Sequence, residues 1–266
     1  MDLELRGKTA IVTGASSGIG KATARELAAE GAAVALVART AEALEAAARD
    51  IQDATGAIAV AVPADVSNRA SVAAMTEAVL RRLGRIDILV NCASPQSRQL
   101  GSLPLADTQY EHFHNDLNTK VLGSLHCAQA VAPHMIRHGW GRIVNVSGGA
   151  ARHASGALPG IRNVSLVALT KNLADELGPH GINVTVVHPG AVKTERRLEQ
   201  IAEQARSRGI SPEEVEREGA KETAARRWMT SEEIAHVITF LASPRSVAIT
   251  GDVIAAWGGS GHAIFY

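Results

Sequence analysis

Seven short apolar runs recur along the chain, and no other feature constrains its fold as much. They read TAIVTG, AVALVA, AIAVAVPA, RIDILVN, GRIVNVSG, GINVTVVHPG and GDVIAAWGG, and Ala-rich amphipathic stretches separate them. A run that is apolar on both faces has no side to give to water. As a strand it belongs in a parallel sheet covered by helices on each side, with right-handed crossovers. The rhythm therefore predicts an α/β fold, a doubly wound parallel sheet of about seven strands with helices on both faces. With 266 residues, 46% of them hydrophobic, the chain can bury one sizeable core. No linker, repeat or low-complexity tract divides it, so residues 1–266 read as a single domain.

Helix starts are marked as well. Ser211-Pro212-Glu213-Glu214 and Thr230-Ser231-Glu232-Glu233 each place a hydroxyl three residues before a glutamate, as a capping box does, and Pro212 suits a first helical position. Residues 191–226 break the rhythm. They are strongly charged, and Leu198, Ile201, Ala202 and Ala205 recur at helical spacing, which predicts a helix pair lying as a lid over a substrate cleft.

Charge narrows the partners. Twenty-seven basic and twenty-seven acidic residues cancel, so no net field draws nucleic acid or an anionic membrane, and small-molecule chemistry is favoured. No apolar run reaches the ~18 residues that span a bilayer. Cys92 and Cys127 have no metal-ligand spacing, and no metal site is expected. The opening MDLELRGKTAIVTG has neither a basic start nor an apolar leader, which points to a cytoplasmic protein with reduced thiols.

The segment TGASSGIG, Thr13–Gly20, follows the first strand run and opens the helix-like KATARELAAEG. That strand-turn-helix context is what a glycine-rich phosphate loop needs. Gly14 permits the tight turn, Gly18 lets a pyrophosphate approach the backbone, and Gly20 allows helix and strand to pack closely. The helix N-terminus supplies N–H donors and partial positive charge. Ser16, Ser17 and Ile19 complete the loop.

Thr-Gly-x3-Gly-x-Gly resembles the short-chain dehydrogenase/reductase family, and further segments carry the likeness nearly end to end. Asp65-Val66 follows the third strand, where the family contacts adenine. Asn91-Cys92-Ala93-Ser94 follows the fourth, where the family usually has Asn-Asn-Ala-Gly. HPGAVKTE places Pro189, Gly190, Val192 and Thr194 as in the family's segment at the nicotinamide amide. The resemblance implies a Rossmann-like fold, a nicotinamide dinucleotide cofactor and carbonyl or alcohol chemistry. It also implies a homo-oligomer, a tetramer, built on the long helices LGSLHCAQAVAPHM and SLVALTKNLADEL. At the end of the second strand, Ala38-Arg39-Thr40 replaces the acidic residue that would bind ribose hydroxyls. Arg39 can fork onto a 2′-phosphate, a contact contributing ~1.5–3 kcal/mol, so NADP(H) is the expected cofactor. Ser17 stands where some NADP-using relatives carry a second basic residue, and NAD(H) stays open.

The family's catalytic residues are replaced. In GRIVNVSG the serine position falls on Gly148, preceded by Ser147. Registering LTKNLADEL puts Asn163 at the lysine position and Pro159 at the tyrosine position, and registering TKVLGSL puts Lys120 at the asparagine position. The chain's two tyrosines, Tyr110 and Tyr266, both lie far from this segment. Lysine and asparagine have in effect exchanged places. The expected catalytic set is Lys120, Ser147 and Asn163, with His153 as a weaker proton donor, Ser155 beside it, and Arg162 facing elsewhere on its helix. Three functions stay open at this point: an NADP(H)-dependent oxidoreductase, a non-redox lyase or isomerase in the same pocket, and a nucleotide-binding pseudoenzyme.

Overall fold

Valine, isoleucine and alanine dominate the runs, and as strands they bury on both sides. A computed structural model describes residues 1–95, 105–107, 109–154 and 156–261. Its strands are β1 (Thr9–Thr13), β2 (Ala33–Ala38), β3 (Ala59–Pro63), β4 (Ile88–Asn91), β5 (Gly141–Val146), β6 (Ile182–His188), the short β7 (Val192–Lys193) and β8 (Met229–Thr230), and β9 (Val253–Ala255). Seven of them form one sheet in the order β3-β2-β1-β4-β5-β6-β9, while β7 and β8 pair separately. Every pairing in the large sheet is parallel, with Val12 beside both Leu36 and Val90. The fold is Rossmann-like.

The intervening stretches are α1 (Gly18–Ala29), α2 (Ala41–Thr55), α3 (Arg69–Leu83), α4 (Tyr110–Leu117), α5 (Gly123–His138), α6 (Ala157–Leu177), α7 (Glu195–Arg208), α8 (Pro212–Ala220) and α9 (Ser231–Leu241). Alternation along the strands sorts them onto two faces. Ala10 and Val12 join a cluster with Leu27 of α1, Leu44 of α2 and Ile234 and Ile238 of α9. Ile11 points the other way, into a cluster with Met75 of α3, Val131 and Met135 of α5 and Leu177 of α6.

Thr230 and Glu233 form the full reciprocal box at the start of α9. Ser211 caps α8 by accepting the Glu214 N–H at 3.1 Å, whereas the Glu214 carboxylate turns to Arg217, so only half a box forms there. The charged segment does fold as a helix pair, with Ile201 and Ala205 of α7 meeting Val215 and Ala220 of α8 around Trp228. Leu198 differs from the expected apolar stripe and remains 51% exposed.

One local feature has no counterpart in the sequence reading. Between α4 and α5, residues Asn118–Leu122 form a π-helical turn with helical backbone on either side, so 110–138 is one long helix with a widened turn at its middle. Such turns store local strain and are frequent at functional sites. Lys120 is the buried residue of that turn.

Candidate functional site

Where β1 hands over to β4 the strand order reverses, and the strand ends leave a crevice there. The crevice is a cavity of about 1080 Å³. Thr13 bridges the two strands, its hydroxyl donating to Val90 O at 3.4 Å and accepting the Ala93 N–H at 3.2 Å. The glycine loop forms one wall: Gly14, Ser16, Ser17, Gly18, Ile19 and Gly20 all face the cavity. Gly14 has φ +67°, and a β-carbon there would sit 2.9 Å from the backbone of Cys92 and Ala93. At Gly20 the neighbour is the loop itself, since a β-carbon would come 2.3 Å from Gly14 O. Gly20 thus lets the turn fold onto the helix start.

Arg39, exposed at the rim, and Asp65 and Val66 after β3 line the same cavity on the side of β2 and β3. Asp65 is turned inward, accepting the Ser67 N–H at 2.9 Å and the Ser67 hydroxyl at 2.7 Å. Those bonds, partly opposed by burial and aided by Arg39, hold its carboxyl below the usual range. Ala93, Pro189 and Thr194 also line the cavity. Thr194 caps α7 by accepting the Arg197 N–H at 3.3 Å. Next to it, Glu195 Oε2 accepts the N–H of Gly18 at 3.0 Å. The phosphate-type donor of the loop therefore already holds an anion, and the loop, the helix N-terminus and the rim arginine fit a dinucleotide.

Three residues expected on the cofactor do not line the cavity. Asn91 is buried beneath the cavity wall and donates to Asn145 Oδ1 at 2.9 Å, while Asn145 donates to Thr170 Oγ1 at 2.9 Å. This chain of amides ties β4 and β5 to α6. Gly190 packs on Trp257, where a β-carbon would be 2.5 Å from its neighbour, and Val192 is 7% exposed within the core.

On the catalytic side, Lys120 and Ser147 line the cavity. Lys120 is only 6% exposed, and its Nζ donates to Ser147 O at 3.2 Å. Burial, and secondarily the nearby Arg162, pull its pKa down to about 7, against the opposing pull of Cys92 and Asp116. Ser147 Oγ in turn donates to Asn163 O at 3.2 Å. Asn163 is 3% exposed, its Oδ1 accepts no hydrogen bond from a described residue, and its side chain stays off the cavity wall. It explains Gly148: the backbone there is extended (φ −178°), yet a β-carbon would lie 2.9 Å from Asn163 Nδ2. A serine at 148 would strike the amide at 163. Pro159 is the third residue of α6, in the first turn, where N–H groups have no intrahelical partner, so the helix tolerates it.

His153 is exposed, lies against Trp257 with ring centres 6.5 Å apart, and does not line the cavity. Ser155 and Tyr266 lie outside the described residues. Arg162 faces another way from Asn163: it reaches from α6 to α4 and donates to both oxygens of Asp116, at 2.7 and 2.9 Å, off the cavity lining. Sequence reasoning missed that partner, and it missed His188, fully buried and stacked on Trp257 at 6.1 Å, whose imidazole burial and the nearby cations depress to a pKa of about 4.

Comparison with known proteins follows the same outline. The family model described as enoyl-(acyl carrier protein) reductase matches residues 14–260. The short-chain reductase protein NovJ of Streptomyces niveus is 38% identical over 251 residues, covering 94% of this chain and 92% of its own. Among solved structures, L-sorbose reductase from Gluconobacter frateurii, complexed with NADPH and L-sorbose, superposes with a TM-score of 0.94 at 28% identity, covering 99% of this chain and 100% of that one. NAD+-bound xylitol dehydrogenase gives 0.86 at 31% identity, covering 96% and 100%. No helix among the described residues is long and apolar enough to cross a membrane. From the glycine loop at β1 to the closing strand β9, the chain belongs to the short-chain dehydrogenase/reductase family of oxidoreductases.

Proposed function

We propose that the protein is an NADP(H)-dependent oxidoreductase that interconverts a carbonyl and an alcohol, with Lys120 serving the proton step that the family assigns to tyrosine. The observation that carries this reading is the position of Lys120: buried at the cavity wall, anchored on Ser147 O, and with a pKa near 7. Gly14 to Gly20 would hold the pyrophosphate, Arg39 a 2′-phosphate, Asp65 and Val66 the adenine side, and Pro189 and Thr194 the nicotinamide side. Bound there, the nicotinamide supplies or accepts the hydride. Relatives are found with either nucleotide, so the preference for NADP(H) over NAD(H) rests on Arg39 and not on family membership.

In reduction the Lys120 ammonium gives a proton to the oxygen that hydride addition makes anionic; in oxidation the neutral amine takes it back. A pKa near the working pH suits both directions. Ser147 holds the amine through its carbonyl and links it to the α6 backbone at Asn163. His153, exposed and off the cavity, is the lesser donor. Helices α7 and α8 serve as the lid, with Glu195, Arg196 and Glu199 of the first turns of α7 on the cavity.

The assembly reading is a homotetramer in the cytoplasm. Leu122 beside α5 and Ile136, Ile161 and Val164 on α5 and α6 are 42%, 38%, 47% and 51% exposed, an apolar surface suited to helix packing between subunits. Light scattering at micromolar concentration should return a tetramer; a monomer contradicts it. Activity is tested by NADPH consumption over a panel of ketones and aldehydes. Lys120→Ala should lower turnover about 10²-fold or more while NADPH still binds. Unchanged turnover removes Lys120 from the chemistry, and binding without any turnover favours a pseudoenzyme.

A further inference from the structure

Asp116 and Lys120 stand four residues apart on one helix, the spacing at which an aspartate and a lysine ordinarily share a face and pair. Here they do not pair. Lys120 Nζ donates to Ser147 O, and Asp116, 1% exposed, gives both oxygens to Arg162 from α6. Lys120 sits in the π-helical turn Asn118–Leu122, where the helix is widened and its side chain is directed to the β5 end at Ser147. Arg162 supplies the partner that Asp116 takes instead, because its Nη1 lies between the two carboxylate oxygens and donates to both, at 2.7 and 2.9 Å.

We propose that Arg162 is a positioning residue for Lys120: by occupying both oxygens of Asp116 it prevents that carboxylate from capturing the ammonium, which stays on Ser147 and open to the cavity. The inference rests on reading Lys120 as the proton-transferring group. Among the described residues, the titratable groups that act on Lys120 or respond to it are Cys92 at the end of β4, Asp116 on α4, Arg162 on α6, and His188 at the end of β6, itself next to Arg152. Cys92 is a thiol that burial pushes up to about 12, and His188 is neutral, so neither carries charge near neutral pH. The Asp116–Arg162 pair is then the local charge that matters. While intact its two charges oppose each other at Lys120, with the guanidinium the stronger; broken on either side, it leaves one buried charge next to the amine.

The two ways of breaking it have opposite signs. Arg162→Gln leaves a carboxylate four residues from Lys120, favouring the ammonium. Asp116→Asn leaves a guanidinium, favouring the neutral amine. The test is an NMR titration of lysine ¹³Cε resonances. The chain has six lysines, and the resonance missing from Lys120→Met assigns the one of interest. We expect the Lys120 midpoint to rise by about one unit or more in Arg162→Gln and to fall by a similar amount in Asp116→Asn. The double amide variant should return it to near the parent value. Arg162→Lys keeps the charge on a shorter side chain that reaches Asp116 less well, and guards against a variant that fails to fold; it should raise the midpoint by part of the Arg162→Gln shift.

Shifts in the same direction in both single variants, or no shift in Arg162→Lys and Arg162→Gln, overturn the proposal. The readout needs no substrate, so the two readings fail separately. Opposite shifts together with unchanged turnover in Lys120→Ala would support the positioning role and sink the proton-transfer reading. A turnover loss in Lys120→Ala without opposite shifts would do the reverse.

Discussion

The nucleotide cradle and the catalytic wall share one cavity, yet they are built under different constraints. At the cradle, two of the three glycines answer to backbone: Gly14 to the segment just after β4 and Gly20 to the carbonyl of Gly14, both closer than a side chain allows. Backbone contacts of this kind leave one acceptable residue, and the pattern TGASSGIG survives intact. At the catalytic wall the constraint is between side chains. Asn163 fills the space that Gly148 vacates, Lys120 hangs from Ser147 O, and Arg162 occupies Asp116. Side chains can be exchanged in sets, provided that volume and charge are balanced locally. On the proposed reading of Lys120, the fold and the cofactor loop are held fixed while the chemistry beside them is rebuilt.

That contrast predicts where substitutions act. The largest effect falls on stability at the catalytic wall. An unfolded lysine keeps its proton up to its ordinary pKa of about 10.4, whereas folded Lys120 releases it near 7. Between those values the unfolded chain binds more protons, so stability rises with pH, and the burden of burying Lys120 is fully present below pH 7. Lys120→Met should therefore raise Tm by roughly 5 °C at pH 6, with the gain shrinking as pH rises toward 10. A lower Tm at pH 6 would show that Lys120 stabilises the wall, and the contrast with the cradle would break.

The cradle should respond in binding and not in folding. Arg39→Ala is expected to lower NADPH affinity roughly tenfold or more, leaving NADH affinity and Tm unchanged; equal affinities for the two nucleotides before mutation would refute the role of Arg39. A smaller effect is expected where the two regions meet. Glu195 and a nucleotide phosphate require the same Gly18 N–H, so Glu195→Gln should tighten NADPH binding by about two- to fivefold, readable by calorimetry. Weaker binding would mean that the carboxylate helps to hold the cofactor.

How much of this was legible in the sequence follows from the same division. The sheet, the glycine loop, the helix pair and the box at Thr230 are local patterns, and each appears where its residues lie. Of the site, the loop, Arg39, Asp65 and Thr194 reach the cavity as read, because they sit at strand ends that the topology gathers. Asn91 stands off the cavity lining because the polar chain through Asn145 and Thr170 draws its side chain inward, a pairing between residues 54 and 25 positions apart. Arg162 faces another way from Asn163, as read, but its partner was not legible, because Asp116 lies 46 positions away on another helix. His188 lay hidden inside a strand run that reads as apolar.

The central claim is that Lys120 carries the proton, and the pH dependence of hydride transfer tests it most directly. With any carbonyl that the enzyme turns over, single-turnover reduction should be flat below pH 7 and fall about tenfold per unit above it, since the ammonium is the acid. Oxidation of the matching alcohol should rise toward the same midpoint near 7 and level off, since the neutral amine is the base. Rates in both directions that stay flat from pH 5 to about 9, or that keep the same midpoint in Lys120→Ala, would contradict the account.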